Sequence, residues 1–299
     1  MSKRDSRWLY YKIYTAAGVI HLEHLIAQTL PAVLECPGIG RWFFLRYLDE
    51  EGPHLRLRIR TTGHSAGLDH AVTPLLARGL DQLSEVPPLE HCPTVMLPQP
   101  PNPSLAAPVM GIRRDRYRPE VGKFGVHGIY IAEALFEASS RIAVQIIIDE
   151  RAGEYSRKDI VPLLMKSVQD AFAHQGDTSA FWERYASYWL STIAKSEELR
   201  QRFVEKRSEL AARGITVLGR QDRLATGAAT CLAQWRLALE KAVDEYSRVP
   251  DVPAVPMADL AFHFVHLMNN RLGVMPVEES YFGVLLAARN QPLSPAEHH

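Results

Sequence analysis

Closely spaced cysteines, long apolar runs and an excess of charge are all missing from this 299-residue chain. Its three cysteines, Cys36, Cys92 and Cys231, lie far apart, which excludes a disulfide framework and a closely spaced zinc or iron–sulfur site. Such sparse cysteine fits a reducing compartment. No apolar run reaches the roughly 18 residues of a membrane span, and no signal-peptide core follows the basic start. We therefore expect a cytoplasmic protein without a membrane partner.

The charge is balanced, with 34 Lys and Arg against 34 Asp and Glu. A neutral chain has no overall attraction to nucleic acid, so we expect no nucleic-acid partner, and any electrostatic binding must come from a local patch. Hydrophobic residues make up 46%, an ordinary globular value. The length suits one large domain, and we interpret residues 1–299 in that way.

The first third of the chain carries strand patterns. Residues 8–14 are aromatic and β-branched, and residues 41–48 and 54–60 form two more strand-like runs joined by a five-residue loop at 49–53. This pattern predicts a β-hairpin. Eight of the 20 prolines fall within residues 86–108, which predicts an extended connector there.

Helical spacing dominates the rest of the chain. Helices are predicted over residues 19–35, 68–85, 129–148, 158–174, 178–213, 221–247, 257–272 and 278–289. We therefore predict an α+β fold, in which a β-rich N-terminal third with a mixed or antiparallel sheet packs with a helical majority.

The second hairpin strand, HLRLRIR at 54–60, alternates apolar and cationic residues. Alternation in a strand places its apolar residues in the core and aligns His54, Arg56, Arg58 and Arg60 on the other face. One interpretation is the exposed face of an edge strand. The other is a binding face for a carboxylate, a phosphate or peptide carbonyls, because guanidinium groups bind such oxygens in pairs. Arg46 and Tyr47 on the partner strand would extend this face.

A second candidate is the turn at 117–125, which contains Tyr117, Glu120 and Lys123. A carboxylate and an ammonium group three residues apart suit an acid/base pair held by a rigid turn. A surface turn with a weak ion pair is the alternative. The glycines of this region do not match a dinucleotide-binding fingerprint.

The third candidate is a predicted helix in which His263 and His266 share a face and Asn269, Asn270 and Arg271 follow in the last turn. The helix has no HExxH motif, so we predict no metal site. Core packing would explain the histidines alone. The polar last turn favours a substrate-binding site.

Taken together, these segments resemble the thiopeptide-type bacteriocin biosynthesis domain, the fold of the glutamate-elimination domain of lanthipeptide dehydratases. The resemblance spans about residues 8–272. It comprises the strand that starts at Trp8 and the segments RWFFLRYLDEEGPHLRLRIR (41–60), YRPEVGKFG (117–125), GIYIAEALFEASS (128–140) and HLMNNRL (266–272).

The resemblance carries the family's elimination-site residues onto Arg56, Arg58, Glu120, Lys123 and His266. The turn departs from the family pattern. Lys123 replaces an arginine, Phe124 replaces a tyrosine and Val126 replaces a glycine. A lysine lacks the two-pronged carboxylate contact of an arginine. This difference favours the thiopeptide pyridine synthases of the family over the glutamate-eliminating subunits.

A pyridine synthase joins two dehydroalanines of a ribosomally made precursor peptide by a formal aza-[4+2] cycloaddition and releases water and the leader peptide. The resemblance implies no cofactor, a precursor peptide (leader and dehydrated core) as partner, and possible contacts with other maturation enzymes. Two alternatives stay open. They are the glutamate-elimination subunit of a split dehydratase and a non-catalytic module that binds the precursor peptide.

In the favoured interpretation, His266 or Tyr117 transfers protons while Glu120 and Lys123 fix the geometry. Substrate binding is assigned to a further group of side chains on the hairpin and at the end of the helix. This group consists of Arg46, His54, Arg56, Arg58, Asn270 and Arg271.

Overall fold

The structure is a computed structural model. It describes residues 8–16, 18–83, 110–173, 178–191, 193, 195–215, 218–249 and 255–287. The predicted connector at 86–108 lies outside the described residues. The single domain over 1–299 therefore stays a prediction.

Four antiparallel strands form one sheet in the order β2-β3-β1-β4. Their bounds are Trp8–Tyr14 (β1), Ile39–Asp49 (β2), Gly52–Thr61 (β3) and Gly111–Asp115 (β4). The α+β class and the hairpin are confirmed. The five-residue loop is wrong, because Asp49 already pairs with Gly52 and leaves a two-residue connection. Strand β4 was not predicted from the sequence.

Helices make up most of the described chain. They are α1 (Gly18–His24), which continues through a π-helical turn (Leu25–Thr29) into α2 (Leu30–Leu34), α3 (Ser65–Gln82), α4 (Val121–Phe124), α5 (Gly128–Arg151), α6 (Arg157–Phe172), α7 (Thr178–Leu190), α8 (Ser196–Ala212), a 3₁₀ helix (Leu218–Arg223), α9 (Thr226–Arg248), α10 (Met257–Leu272) and α11 (Pro276–Leu286). None of these described helices is long and apolar enough to cross a membrane.

The single helix predicted over 178–213 is wrong. Helix α7 ends at Leu190 and α8 begins at Ser196, with Lys195 in the left-handed region at φ 59°. The break lets Ile193 insert its side chain into the interior, where only 6% of it is exposed. Periodicity alone could not locate this break, because the pattern on both sides is helical.

The two faces of the sheet have different partners. Leu55, Leu57 and Ile59 are fully buried on the face that α1 and α3 cover. This agrees with the predicted alternation. The interpretation of HLRLRIR as an edge strand is wrong, because β3 lies between β2 and β1. Its cationic face therefore has neighbouring strands on both sides.

The edge strand β2 is closed by side chains from two helices. Ser140 Oγ of α5 accepts the N–H of Phe44 at 3.2 Å. Asn270 of α10 accepts the N–H of Arg46 and donates to its carbonyl, both at 2.9 Å. These bonds satisfy backbone groups that an open edge would leave free. They also fix α5 and α10 against the sheet.

Replacing Gly79 with alanine should destabilise the protein by about 1–3 kcal/mol, because the space beside it is filled. A Cβ on Gly79 of α3 would lie 2.6 Å from Cγ2 of Thr29. Gly67→Ala on the same helix is the matched control, since nothing lies within 4 Å of its Cβ position. Chemical denaturation of both variants checks the prediction. Equal unfolding free energies would contradict it.

Candidate functional site

A pocket of about 160 Å³ opens where the cationic face of β3, the segment 117–124, α5 and α10 meet. It contains most of the residues that the sequence singled out. The lining side chains are Phe43, Leu45, Arg58, Tyr117, Arg118, Glu120, Lys123, Phe124, Ile129, Phe136, His263, His266, Leu267 and Arg271. We call this space the reaction pocket.

His266 is held from two sides. Its Nδ1 lies 3.0 Å from Oε1 of Glu279, and its ring stacks on Trp189 with centroids 4.3 Å apart. A carboxylate oxygen only accepts, so this contact assigns the proton to Nδ1 and leaves Nε2 for a ligand. The side chain is 30% exposed. His266 therefore has the orientation and access that a proton-transfer residue needs.

Glu279 was missed by the sequence analysis. It is fully buried on α11 and also accepts hydrogen bonds from Tyr185 Oη and from Asn269 Nδ2, the latter at 3.2 Å. In the sequence, Glu279 follows Glu278 in the first turn of a helix, where acidic residues are common for reasons of helix stability. The short connection from α10 to α11, together with the packing of α11 against α7, brings it to His266.

Two guanidinium groups line the pocket without a carboxylate partner within 4 Å among the described residues. They belong to Arg58, which is half-buried, and to Arg271, which is 1% exposed. Among the residues that the structure describes, Arg58 Nε and Arg271 Nη2 have no hydrogen-bond partner. Burial lowers the pKa of Arg58, and burial with the nearby charge of Arg58 lowers the pKa of Arg271 to about 9. Buried like charges without a counterion are costly, which indicates that an anionic or strongly polar oxygen binds here.

Arg271 is anchored more firmly than Arg58. Its Nε donates to Ser140 Oγ at 3.0 Å and its Nη1 donates to the carbonyl of Leu267 at 2.7 Å. The guanidinium of Arg58 instead lies over aromatic rings, 4.6 Å from Tyr10 and 5.4 Å from Tyr117. Arg58 therefore keeps more of its donors for a ligand.

Tyr117 does line the pocket, but its hydroxyl is engaged. It donates to Oε1 of Glu133 at 2.9 Å, and Glu133 is almost fully buried. Burial and the neighbouring Glu133 raise the pKa of Tyr117 far above its usual range, so the phenol stays protonated near neutral pH. Burial also raises the pKa of Glu133. Of the two predicted proton carriers, the geometry favours His266. Glu133 is a second residue that the sequence analysis missed.

The predicted Glu120–Lys123 pair forms at the pocket rim. The ammonium of Lys123 lies 2.6 Å from Oε2 of Glu120, across the single turn of α4. Gly125 ends this turn at φ 80°, a conformation that favours glycine. The turn buries Phe124 beneath the pair and holds both charged groups at the rim.

Arg46 and Asn270 lie elsewhere. Arg46 is opposite Leu55 in the sheet register, so its side chain is on the face away from Arg58, and its predicted extension of the cationic face is wrong. Its guanidinium is buried, 3.6 Å from Glu23, and its Nε donates to the carbonyl of Arg271 at 3.1 Å. Asn270 binds the backbone of Arg46. Both residues position the end of α10.

His54 and Arg56 lie on the same face as Arg58 but beyond the pocket. His54 is fully buried, so it does not offer its ring to a substrate. Tyr47, opposite His54 in the register, is 45% exposed. The side chains of the predicted cationic face therefore do share one face of the sheet. Among them, only Arg58 lines the pocket.

Within the part of the chain that the structure describes, no three His, Cys, Asp or Glu residues are grouped to hold a metal ion. His263 also lines the pocket. Burial, then the nearby Lys123, lowers its pKa.

Comparison with known proteins gives one family match. The model for the C-terminal region of lantibiotic biosynthesis dehydratases matches residues 8–289. No curated protein matches the chain.

Solved structures that share the fold include the following three. The pyridine synthase TbtD from thiomuracin biosynthesis has a TM-score of 0.66 at 19% identity, covering 94% of this chain and 96% of that one. The tRNA-dependent lantibiotic dehydratase MibB from Microbispora sp. 107891 has a TM-score of 0.62 at 19% identity, covering 96% of this chain. The chain spans only 28% of that dehydratase. TsrL has a TM-score of 0.59 at 16% identity, covering 94% of this chain and 93% of that one.

Proposed function

Because this chain belongs to the family of lantibiotic biosynthesis dehydratase C-terminal domains, we propose that it matures a ribosomally made precursor peptide as a pyridine synthase. The proposed reaction joins two dehydroalanines of the peptide in a formal aza-[4+2] cycloaddition. Loss of water and of the leader peptide then gives the pyridine ring.

The ion pair between Lys123 and Glu120 is the observation that carries this proposal. At the position where the resemblance places a carboxylate-binding arginine, the chain has a lysine whose ammonium is already paired with Glu120 at 2.6 Å. A paired lysine is a poor partner for a second carboxylate. The pocket walls beside it are aromatic and aliphatic, which suits unsaturated, uncharged side chains. These walls include Phe43, Leu45, Ile129, Phe136 and Leu267.

Each step of the reaction finds a suitable group in the pocket. The amide before one dehydroalanine moves its proton from nitrogen to oxygen and becomes a 2-azadiene. The two terminal carbons of this azadiene bond to the two alkene carbons of the other dehydroalanine and close a six-membered ring. The ring then loses the former amide oxygen as water and the leader peptide as its amide. Guanidinium donors at Arg58 and Arg271 would bind the amide oxygen, and Nε2 of His266 would carry the protons.

Proximity supplies much of the acceleration in such a reaction. Holding two alkenes at reactive distance removes the entropy cost of their encounter, an advantage of about 7–11 kcal/mol in well-oriented systems. A pocket of about 160 Å³ is small enough to press two such side chains together. Rigid walls serve this purpose, and Phe43, Phe124 and Phe136 are all deeply buried.

Mass spectrometry of the purified protein with a dehydroalanine-containing precursor peptide tests the proposal. We expect a product that has lost water and the leader peptide, together with release of the leader as its amide. Binding of the precursor without any mass change would overturn the proposal and leave a non-catalytic binding module.

Glutamate elimination is the second candidate, and the orphaned guanidinium atoms favour it. Arg58 Nε and Arg271 Nη2 are suited to a departing carboxylate as well as to an amide oxygen. A precursor carrying glutamyl esters on serine or threonine separates the two reactions. Loss of glutamate from this substrate, with no change in a dehydrated one, would replace the cycloaddition with elimination.

A further inference from the structure

A second imidazole lines the reaction pocket about one helical turn before His266. It belongs to His263 of α10, and the two side chains share a face of this helix, with about 5–6 Å between Cβ atoms at such a spacing. The side chain of His263 is half-buried and makes no hydrogen bond to any residue that the structure describes. Both of its ring nitrogens are therefore left for a ligand in the pocket.

The carboxylates nearest to His263 are already paired with other cations. Glu120 lies 2.6 Å from the ammonium of Lys123, and Asp259 lies 3.1 Å from the guanidinium of Arg184. Each carboxylate has a cation beside it, which weakens its attraction for a proton on the imidazole.

The surroundings of His263 favour its neutral form. Burial lowers its pKa, and the nearby charge of Lys123 lowers it further. His266 acts in the same direction, whereas Glu120 and Asp259 act against it. A neutral imidazole near pH 7 can accept a proton, so His263 has the form that a general base needs.

His266 lies in different surroundings. Its Nδ1 is 3.0 Å from the buried carboxylate of Glu279, which stabilises the imidazolium that forms when Nε2 takes up a proton. Two titratable groups of one site whose surroundings favour opposite charge states divide the roles of acid and base. The neutral imidazole of His263 suits the base, and the carboxylate-paired imidazole of His266 suits the acid.

We infer that His263 is a second catalytic residue of the pocket, which removes the ring protons during the loss of water and of the leader peptide while His266 protonates the leaving groups. The inference rests on the proposed function, because it takes the cycloadduct as the reacting species. Both eliminations follow the closure of the six-membered ring.

The protons and electrons of the two eliminations balance without a further reactant. In the first, a ring C–H bond breaks, its electron pair shifts into the ring π system, and the C–O bond breaks as the oxygen takes a proton and leaves as water. In the second, another ring C–H bond breaks and the C–N bond to the leader breaks as its nitrogen takes a proton. Each elimination puts one proton on His263 and takes one from His266, so a proton transfer between the two imidazoles restores both.

Rescue by free imidazole tests the inference. In single-turnover reactions with the dehydroalanine-containing precursor, His263→Ala should form the pyridine product about 100-fold more slowly, the usual loss for a general base. Imidazole in the buffer should restore much of the rate, because the truncated side chain leaves space for it in the pocket. His70→Ala, which removes an exposed imidazole from α3, is the control and should keep the wild-type rate.

Thiol trapping identifies the step that is lost. The cycloadduct has the mass of the precursor but has consumed two alkenes, so it adds two thiols fewer. This species should accumulate in His263→Ala. His263→Gln keeps most of the size and polarity, and it should be equally slow without responding to imidazole.

Several outcomes would overturn the role of His263. They are a wild-type rate in His263→Ala or His263→Gln, a loss that imidazole does not restore, and accumulation of a precursor that still adds every thiol. Circular dichroism of both variants shows whether the fold is unchanged. A wild-type protein that forms no pyridine product would instead overturn the proposed function.

Discussion

Replacing His266 with alanine is expected to slow turnover of the precursor peptide by about 100-fold or more, the usual loss when a positioned acid/base is removed. This loss is expected because two neighbouring residues hold the imidazole of His266. Nδ1 is fixed at 3.0 Å from buried Glu279 and the ring is stacked on Trp189, so the ring is held in one orientation and Nε2 is left for the substrate. The measurement is single-turnover product formation by mass spectrometry, with circular dichroism to show an unchanged fold.

Two further variants separate catalysis from packing. His70→Ala removes an exposed imidazole from α3, on the other face of the sheet, and should leave turnover unchanged. Glu279→Gln keeps the shape but no longer accepts at both oxygens, so it should lower turnover in the same direction as His266→Ala. Wild-type turnover in folded His266→Ala would remove this residue from the mechanism.

The sequence alone predicted the hairpin and the inward-facing leucines of β3. Both depend on local rules, because alternation in a strand fixes which residues share a face. The same rule explains the error at Arg46. Adjacent residues of a strand point to opposite faces, so Arg46 and Tyr47 could not both extend the cationic face. The register places Tyr47 on that face.

The parts of the site that were missed are all long-range contacts. Glu279 reaches His266 because the chain turns between α10 and α11 after Leu272 and because α11 packs against α7. Glu133 is buried in α5 and meets Tyr117 from a separate segment. Neither carboxylate has a local sequence signal, since acidic residues are frequent on helices. Strand β4 was missed because the charged run at 113–118 resembles a solvated loop more than an edge strand.

Arg58→Met is expected to give the second large effect, a fall in turnover of about 100- to 1000-fold, typical for the loss of a donor to a developing oxyanion. Methionine keeps much of the length and the contact with Tyr10 and Tyr117, so packing changes little. Only the charge and its donors are removed. Kinetics under single-turnover conditions measure the loss.

The stability of the Arg58→Met variant, unlike its turnover, should not fall. Burial, and then repulsion by Arg58, lowers the pKa of Arg271, and neither group has a carboxylate within 4 Å in the described part of the chain. Removing Arg58 therefore relieves the repulsion on buried Arg271, and the thermal midpoint of Arg58→Met should equal or exceed that of the wild type. An inactive variant that is also less stable would indicate lost packing rather than a lost oxygen-binding group. Full activity in a stable variant would exclude Arg58 from substrate binding. An inactive, more stable variant is the result expected when two cations are held together for a ligand.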